Sequence, residues 1–165
     1  DIQIQLCGDG ANANLCGAAM APQRGNLDQQ VTMEHLSANT TSQQTFHTIV
    51  ADRGKSTFNG RIHIHAGARN SNANLSNKNI GLGANATINT KPELEIYNDD
   101  VSCSHGATIG QLDDDQLFYL CSRGVDPNAA RQLLCEGFLQ QCVGGPLADS
   151  ATAGLLEPLQ GLSIQ

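Results

Sequence analysis

Apolar and polar residues alternate along short stretches of the first hundred or so residues. The alternation is regular over residues 2–6, 61–65 and 93–97. A two-residue period is typical of β-strands that bury one face. Shorter apolar stretches predict further strands at 15–20, 31–35, 45–50, 79–82 and 86–89.

Turn-forming residues separate these stretches. They cluster at Gly8-Asp9-Gly10, Asp52-Arg53-Gly54, Asn59-Gly60 and Asn70-Ser71-Asn72, where Gly and Asn tolerate positive φ. Brief strands at such spacing suit a sandwich or a solenoid. Asn also recurs at what the spacing suggests are similar places in successive coils (Asn70, Asn72, Asn74, Asn77, Asn79, Asn85 and Asn89), and stacked amides form ladders. We therefore favour the solenoid.

The pattern changes to helical from Leu112. Asp113, followed by Gln116, is a helix N-cap signal, and Gly124 is a stop signal. Asp126-Pro127 opens a second helix whose 3.6-residue spacing continues to Gly144. We expect a β portion over 1–111, a helical hairpin over 112–143 and a loosely ordered tail over 144–165.

Composition and charge narrow the functional classes. Only 15% of residues are charged, 4% are aromatic, and the formal net charge is −7. This balance argues against binding nucleic acid through a broad basic surface. No apolar run approaches the ~18 residues of a membrane span. The first residue is Asp1, from which we expect a processed chain or an expressed fragment.

The six cysteines are interpreted as reduced, intracellular thiols. Cys121, Cys135 and Cys142 lie in helix-like sequence, where small apolar thiols are ordinary. No CxxC pair is present, so a structural zinc site is not expected. The spacing also gives no support to a secreted disulfide framework.

Two local motifs resemble known sites without completing them. Gly54-Lys55-Ser56 resembles the end of a phosphate-binding loop, but that loop needs a Gly where the chain has Ile49. His63 and His65 alternate, so both project from one face of a strand. Two histidines make an incomplete metal site, and we interpret them as exposed polar residues of the strand.

The richest candidate for metal chemistry is the stretch containing Cys103 and His105. Both residue types bind soft or borderline metals, and on a strand they would share a face. Acidic residues without any Lys or Arg surround them in sequence from 93 to 122, and such carboxylates would favour a bound cation. The alternative is a buried Cys beside a hydrogen-bonded His.

Residues 91–110, Lys-Pro-Glu-Leu-Glu-Ile-Tyr-Asn-Asp-Asp-Val-Ser-Cys-Ser-His-Gly-Ala-Thr-Ile-Gly, resemble the signature of the SufB/SufD family. The resemblance continues through residues 117–120 and 122–124, and it extends back to about Leu27. The Cys-Ser-His-Gly-Ala-Thr form is similar to the SufD branch, whose C-terminal portion the chain would represent. The resemblance implies a mainly β fold, a right-handed parallel β-helix followed by a C-terminal α-helical hairpin.

The resemblance also implies a non-catalytic role in cytoplasmic iron–sulfur cluster assembly. The expected partners are a SufB-like subunit and a SufC-like ATPase, which would dock on the helical segment. Leu117, Phe118, Tyr119 and Arg123 are the docking candidates. His105 would face the SufB-like subunit as a ligand for iron or a nascent cluster, with Cys103 the weaker candidate. We expect no stably bound cofactor, and His35 is expected to be structural.

Two alternatives remain open at the level of the sequence. A secreted β-solenoid that binds carbohydrate would suit the Asn- and Thr-rich strands and the sequon-like Asn39-Thr40-Thr41. A small metalloenzyme would use His63, His65 and His105. An open end of the β-helix also exposes unpaired strand edges, so the isolated chain could form a homodimer.

Overall fold

The chain folds as a parallel β-solenoid followed by two α-helices. The computed structural model describes residues 1–143. The elements in chain order are β1 Ile2–Leu6, β2 Asn12–Ala21, β3 Asn26–His35, β4 Thr41–Val50, β5 Lys55–Ile64, β6 Ser71–Gly81, β7 Thr87–Ile96, β8 Val101–Gly110, α1 Asp114–Ser122 and α2 Pro127–Gln140.

The strands form two parallel sheets in which the chain alternates from one sheet to the other. The first sheet has the order β1-β3-β5-β7 and the second has the order β2-β4-β6-β8. Each strand pairs in parallel with the strand one coil later, giving about four turns. This architecture confirms the predicted solenoid and excludes the sandwich.

The apolar core fills the space between the two sheets. Inward residues alternate along β5, where Phe58, Ile62 and Ile64 are almost completely buried. The rings of Phe46 and Phe58 meet across the interior with centroids 5.0 Å apart. Burying side chains of this size stabilises a fold by about 1.5–3 kcal/mol each. The two-residue period of the sequence therefore identified real inward positions.

The prediction of a turn at Asn59-Gly60 is wrong, because both residues lie inside β5. Gly60 is an inward position, and a Cβ there would lie 2.6 Å from Phe58 and 2.7 Å from Leu75. The absence of a side chain makes room for these two core residues. Gly60 is therefore required for core packing and does not form a turn. The Asn-Gly pair in the sequence could not distinguish these two roles.

Several predicted strands merge into longer ones. Residues 79–82 were expected to form a separate strand after a turn at 70–72, but β6 runs without interruption from Ser71 to Gly81. Residues 86–89 and 93–97 fall largely within β7, which includes Pro92. Proline is tolerated there because β7 is the edge strand of its sheet.

The expected asparagine ladder is also wrong for most of its members. Asn72, Asn74, Asn77 and Asn79 are neighbours along β6, and none of them pairs in register with another asparagine. An amide ladder does exist at a turn, where Asn70 Nδ2 donates to Asn39 Oδ1 at 2.7 Å. Both residues have positive φ, 53° and 58°, as expected of Asn in tight turns.

Both helices of the hairpin begin at the capping residues that the sequence predicted. The Asp113 carboxylate accepts from the backbone N–H groups of Asp115 and Gln116 at 2.9 and 3.2 Å. Asp126 caps α2 in the same way, and Gly124 adopts φ +86° between the helices. Helix α2 ends at Gln140, before the predicted Gly144. The predicted tail over 144–165 lies outside the described residues.

Helix α2 packs back on the outer face of β4. His47 Nδ1 donates to the Phe138 carbonyl at 2.7 Å, and the two rings stack 4.6 Å apart. Ile49, Cys135 and Leu139 form a second, smaller core below the helix. Among the helices of residues 1–143, none is long and apolar enough to cross a bilayer.

Candidate metal-handling and partner-binding site

His105 lies at the open end of the solenoid interior. It pairs in register with Leu75, an inward residue that is only 1% exposed. Strand β8 belongs to the last coil and is an edge strand, so none of the residues 1–143 adds a further coil over it. The imidazole is therefore exposed although it continues an interior column of side chains.

Apolar side chains surround this open end. Ile96 and Ile109 pair with the buried residues Ile64 and Asn79, so both continue interior columns. They are nevertheless 45% and 57% exposed. An edge of unpaired backbone groups beside exposed isoleucines is the combination that proteins normally cover. The open end thus has the character of an interface.

Cys103 shares the inward face of β8 with His105, as the alternation predicted. It pairs with the buried Ala73 and packs half-buried against the main core. Burial raises the pKa of its thiol, although a hydrogen bond that the Ala73 backbone donates to the sulfur opposes this shift. A thiol kept protonated is a poor metal ligand. The accessible imidazole of His105 is the better ligand of the two.

The acidic residues near His105 in sequence do not gather around it, which corrects the expected acidic setting. Glu93 pairs with Lys91 at 2.5 Å, and Glu95 lies 3.6 Å from Arg61 on the outer face of the other sheet. The Asp113 carboxylate caps α1. Within residues 1–143, no group of three or more His, Cys, Asp or Glu side chains could hold a metal ion. A metal at His105 would need ligands beyond those that residues 1–143 bring together there.

His63 and His65 lie together on the outer face of the other sheet, whereas His105 continues an interior column. Their rings stack 4.0 Å apart, and both project from the outer face of the sheet that contains β5. Glu95 is 3.6 Å from His63 Nδ1, and Glu34 is 3.8 Å from His65 Nε2. The structure does not bring them to His105, so the three-histidine metalloenzyme is excluded.

His35 is a structural residue, as expected. It is completely buried, and its two ring nitrogens make hydrogen bonds with Thr40 Oγ1 at 2.8 Å and Ser42 Oγ at 2.9 Å. Thr40 is linked in turn to Ser71 at 2.7 Å. Burial lowers the pKa of His35 to about 4. The imidazole is neutral near pH 7 and joins β3 to the start of β4 within one coil, and the bond between Thr40 and Ser71 continues to the next coil.

The docking candidates of the hairpin are unequally exposed. Phe118 and Tyr119 are 74% and 55% exposed, whereas Leu117 is half-buried. The Arg123 guanidinium lies over the Tyr119 ring, 4.7 Å from its centroid. An exposed aromatic pair with an adjacent Arg has the composition of an interface hot spot.

The sequence analysis missed the contact that orients the hairpin. His47 and Phe138 are separated by 91 positions, and no local pattern connects them. The outer face of β4 carries Thr45, His47 and Ile49, so it has no continuous apolar pattern from which a cover could be inferred. This contact holds the C-terminal part of α2 against the solenoid.

The comparisons with known proteins agree with this geometry. The family model described as SUF system FeS cluster assembly, SufBD core domain, matches residues 1–138. The iron–sulfur cluster assembly protein SufD of Escherichia coli is 40% identical over 134 residues, which cover 81% of this chain and 32% of that protein. The protein ABCI7, chloroplastic, of Arabidopsis thaliana is 34% identical over 84% of this chain and 29% of its own length.

SufB of Bacillus subtilis is also similar, with 31% identity over 82% of this chain and 29% of that protein. The chain thus spans about a third of the length of these curated relatives. The family match begins at residue 1, earlier than the Leu27 at which the sequence resemblance was placed. Because the SufBD core domain model matches residues 1–138 and SufD of Escherichia coli is 40% identical over 81% of this chain, the chain belongs to the SufB/SufD family and is SufD-like.

Proposed function

We propose that this chain is a non-catalytic scaffold subunit in cytoplasmic iron–sulfur cluster assembly. The observation that carries the proposal is the exposed imidazole of His105 in an otherwise interior column at the open end of the solenoid. The family match supports a role in iron–sulfur cluster assembly. The uncovered open end supports a role that requires binding to another protein chain. The metal is substrate in this scheme and is handed on without being retained.

The partner at the open end would be a SufB-like subunit. The unpaired edge of β8 can accept a strand from another chain, and Ile96 and Ile109 would lose their exposed surface in the contact. His105 would then supply one imidazole to iron or to a nascent cluster. The partner would complete the ligand set, because residues 1–143 bring no group of three or more ligating side chains together there.

The partner at the hairpin would be a SufC-like ATPase. Phe118 and Tyr119 offer apolar surface, and Arg123 adds a charged donor. The contact of α2 with β4 through His47 and Phe138 would pass movement of the ATPase to the solenoid. In this scheme ATP is hydrolysed by the SufC-like subunit and not by this chain.

Co-purification from cells that co-express SufB-like and SufC-like proteins tests both contacts. We expect Ile109→Asp to abolish recovery of the SufB-like subunit and to leave recovery of the SufC-like subunit unchanged. Lys78→Asp, an exposed change on β6, is the matched control. Equal recovery of the SufB-like subunit by the Ile109→Asp variant would contradict pairing at the open end.

Without its partner, the chain would pair with a second copy at the same open end. Sedimentation analysis over a range of concentrations should show a monomer–dimer equilibrium that Ile109→Asp shifts to monomer. A dimer that the substitution leaves unchanged would place self-association elsewhere.

The carbohydrate-binding solenoid gains no support from the structure. Asn39, the sequon-like residue, has both amide atoms engaged, since it donates to Asp9 at 2.8 Å and accepts from Asn70. Its side chain is part of the turn ladder. The Asn- and Thr-rich strands form successive coils of the solenoid.

A further inference from the structure

The thiol of Cys142 is held against the outer face of the second sheet. It follows the C-terminus of α2 and is only 4% exposed. Its Sγ lies 3.2 Å from both the Gly17 carbonyl and the Thr45 carbonyl. One sulfur can contact both oxygens only from the groove between β2 and β4.

This groove is also where the side chain of Cys16 emerges. Cys16 precedes Gly17 and pairs in register with Thr45, so the two carbonyls flank it. A Cβ on Gly17 would point inward at Phe46, 2.5 Å from its ring, and alternation therefore places Cys16 on the outer face. Neighbouring parallel strands are ~4.8 Å apart. The Cys16 side chain and the Cys142 thiol therefore lie on the same outer face beside the same two carbonyls, with Cys16 exposed and Cys142 covered.

The contacts of α2 keep Cys142 in this place. Phe138 is stacked on His47 and hydrogen-bonded to it through its carbonyl, and Leu139 is completely buried. These contacts fix the last turn of the helix against β4. A thiolate fixed beside a mixed disulfide attacks it much faster than a free thiolate in solution does, because the encounter is already made.

We propose that Cys16 and Cys142 form a redox pair that reacts with a low-molecular-weight disulfide, such as oxidised glutathione, and closes a disulfide between β2 and the end of α2. The Cys16 thiolate attacks one sulfur of glutathione disulfide, forms a mixed disulfide and releases one glutathione thiolate. Cys142 then loses its proton and attacks the Cys16 sulfur, which releases the second glutathione. Two protein thiols are oxidised and one small disulfide is reduced.

The order of the two steps follows from exposure. Cys16 is open to solvent, so its thiolate attacks the small disulfide first. Burial raises the pKa of the Cys142 thiol, so only its position beside the mixed disulfide makes the second step fast. The closed bond would staple the hairpin to the solenoid. This inference goes beyond the proposed function and does not depend on it.

Oxidation of the purified chain with oxidised glutathione, followed by alkylation, intact mass analysis and peptide mapping, tests the pair. We expect the wild type to lose the mass of two hydrogen atoms and to yield a linked peptide of Cys16 and Cys142. Cys7→Ser is the matched control, because Cys7 is equally exposed on the other sheet and should leave the link unchanged. Cys142→Ser should stop at a glutathione adduct on Cys16.

A wild-type chain that keeps glutathione on Cys16, or that links Cys16 to another cysteine, would overturn the proposal. Because the wild type decides this outcome, the result does not depend on the folding of any variant. A thermal scan gives the second readout. The oxidised wild type should unfold at a higher temperature than the reduced form, and a reductant should reverse the shift. No shift in the oxidised, linked chain would overturn the stapling of the hairpin.

Discussion

His105 stands directly over Leu75 in the register of β8 on β6, yet Leu75 is 1% exposed and His105 is open to solvent. The two residues occupy the same column of the solenoid interior, one coil apart. The difference between them is only that no coil within residues 1–143 covers the last one. A core position has thus become a surface position, and it carries an imidazole.

The first prediction concerns the glycine that makes room for the core. Gly60→Ala would place a methyl group 2.6 Å from Phe58 and 2.7 Å from Leu75, and overpacking of this kind costs about 1–3 kcal/mol. We expect the free energy of unfolding in urea to fall by that amount. Gly8→Ala is the control, since a Cβ there meets nothing within 4 Å. Equal stability of the two variants would contradict the solenoid packing.

The second prediction concerns pH. The pKa of His35 is lowered by burial from 6.5 to about 4, so the unfolded chain binds a proton there before the folded chain does. The stabilisation is complete above pH 6.5 and is lost as the pH falls towards 4. We expect a loss of about 2–3 kcal/mol near pH 4.5 from this residue. Burial lowers the pKa of His47 as well, which adds to the loss.

Urea unfolding of the wild type and of His35→Gln between pH 7 and pH 4.5 measures this effect. The variant should be less stable at pH 7, because it loses hydrogen bonds with Thr40 and Ser42. It should also lose less stability on acidification than the wild type. Parallel pH profiles for the two proteins would show that His35 is not the group responsible.

The third prediction concerns the hairpin. Phe118 is 74% exposed, so Phe118→Ala should leave the folding stability almost unchanged. Removal of an aromatic hot spot weakens binding by about 2 kcal/mol, or roughly 30-fold. We expect a loss of that size in the affinity for a SufC-like partner, measured by calorimetry. Ile2→Ala, an exposed apolar change at the opposite end of the solenoid, should bind as the wild type does.

The inward strand positions and the helix starts could be predicted from the sequence, because residues close together in the chain determine them. The two-residue period marked the inward residues of β5, and Asp113 and Asp126 marked the helix starts by the same side-chain contacts that the structure shows. Strand lengths could not be predicted in this way. Gly60 and Pro92 are strand breakers in isolation, and only the register of neighbouring coils explains why β5 and β7 continue through them.

The candidate site was only partly accessible to sequence reasoning. Alternation placed Cys103 and His105 on one face, which the structure confirms. Alternation could not show that the inward face of β8 is exposed. His105 is exposed because no further coil within residues 1–143 covers this strand. The nearness of acidic residues in sequence was misleading. Glu93 and Glu95 project from the other sheet, where Lys91 and Arg61 engage them.

The most direct test of the central claim is the recovery of iron–sulfur enzyme activity in SufD-deficient cells supplied with the protein carrying this sequence. We expect His105→Ala to reduce recovery by ~10-fold or more, the loss typical when a group that positions a metal is removed. His65→Ala, an imidazole on the outer face of the other sheet, should restore activity as the wild type does. Full recovery by a folded His105→Ala variant would contradict the account.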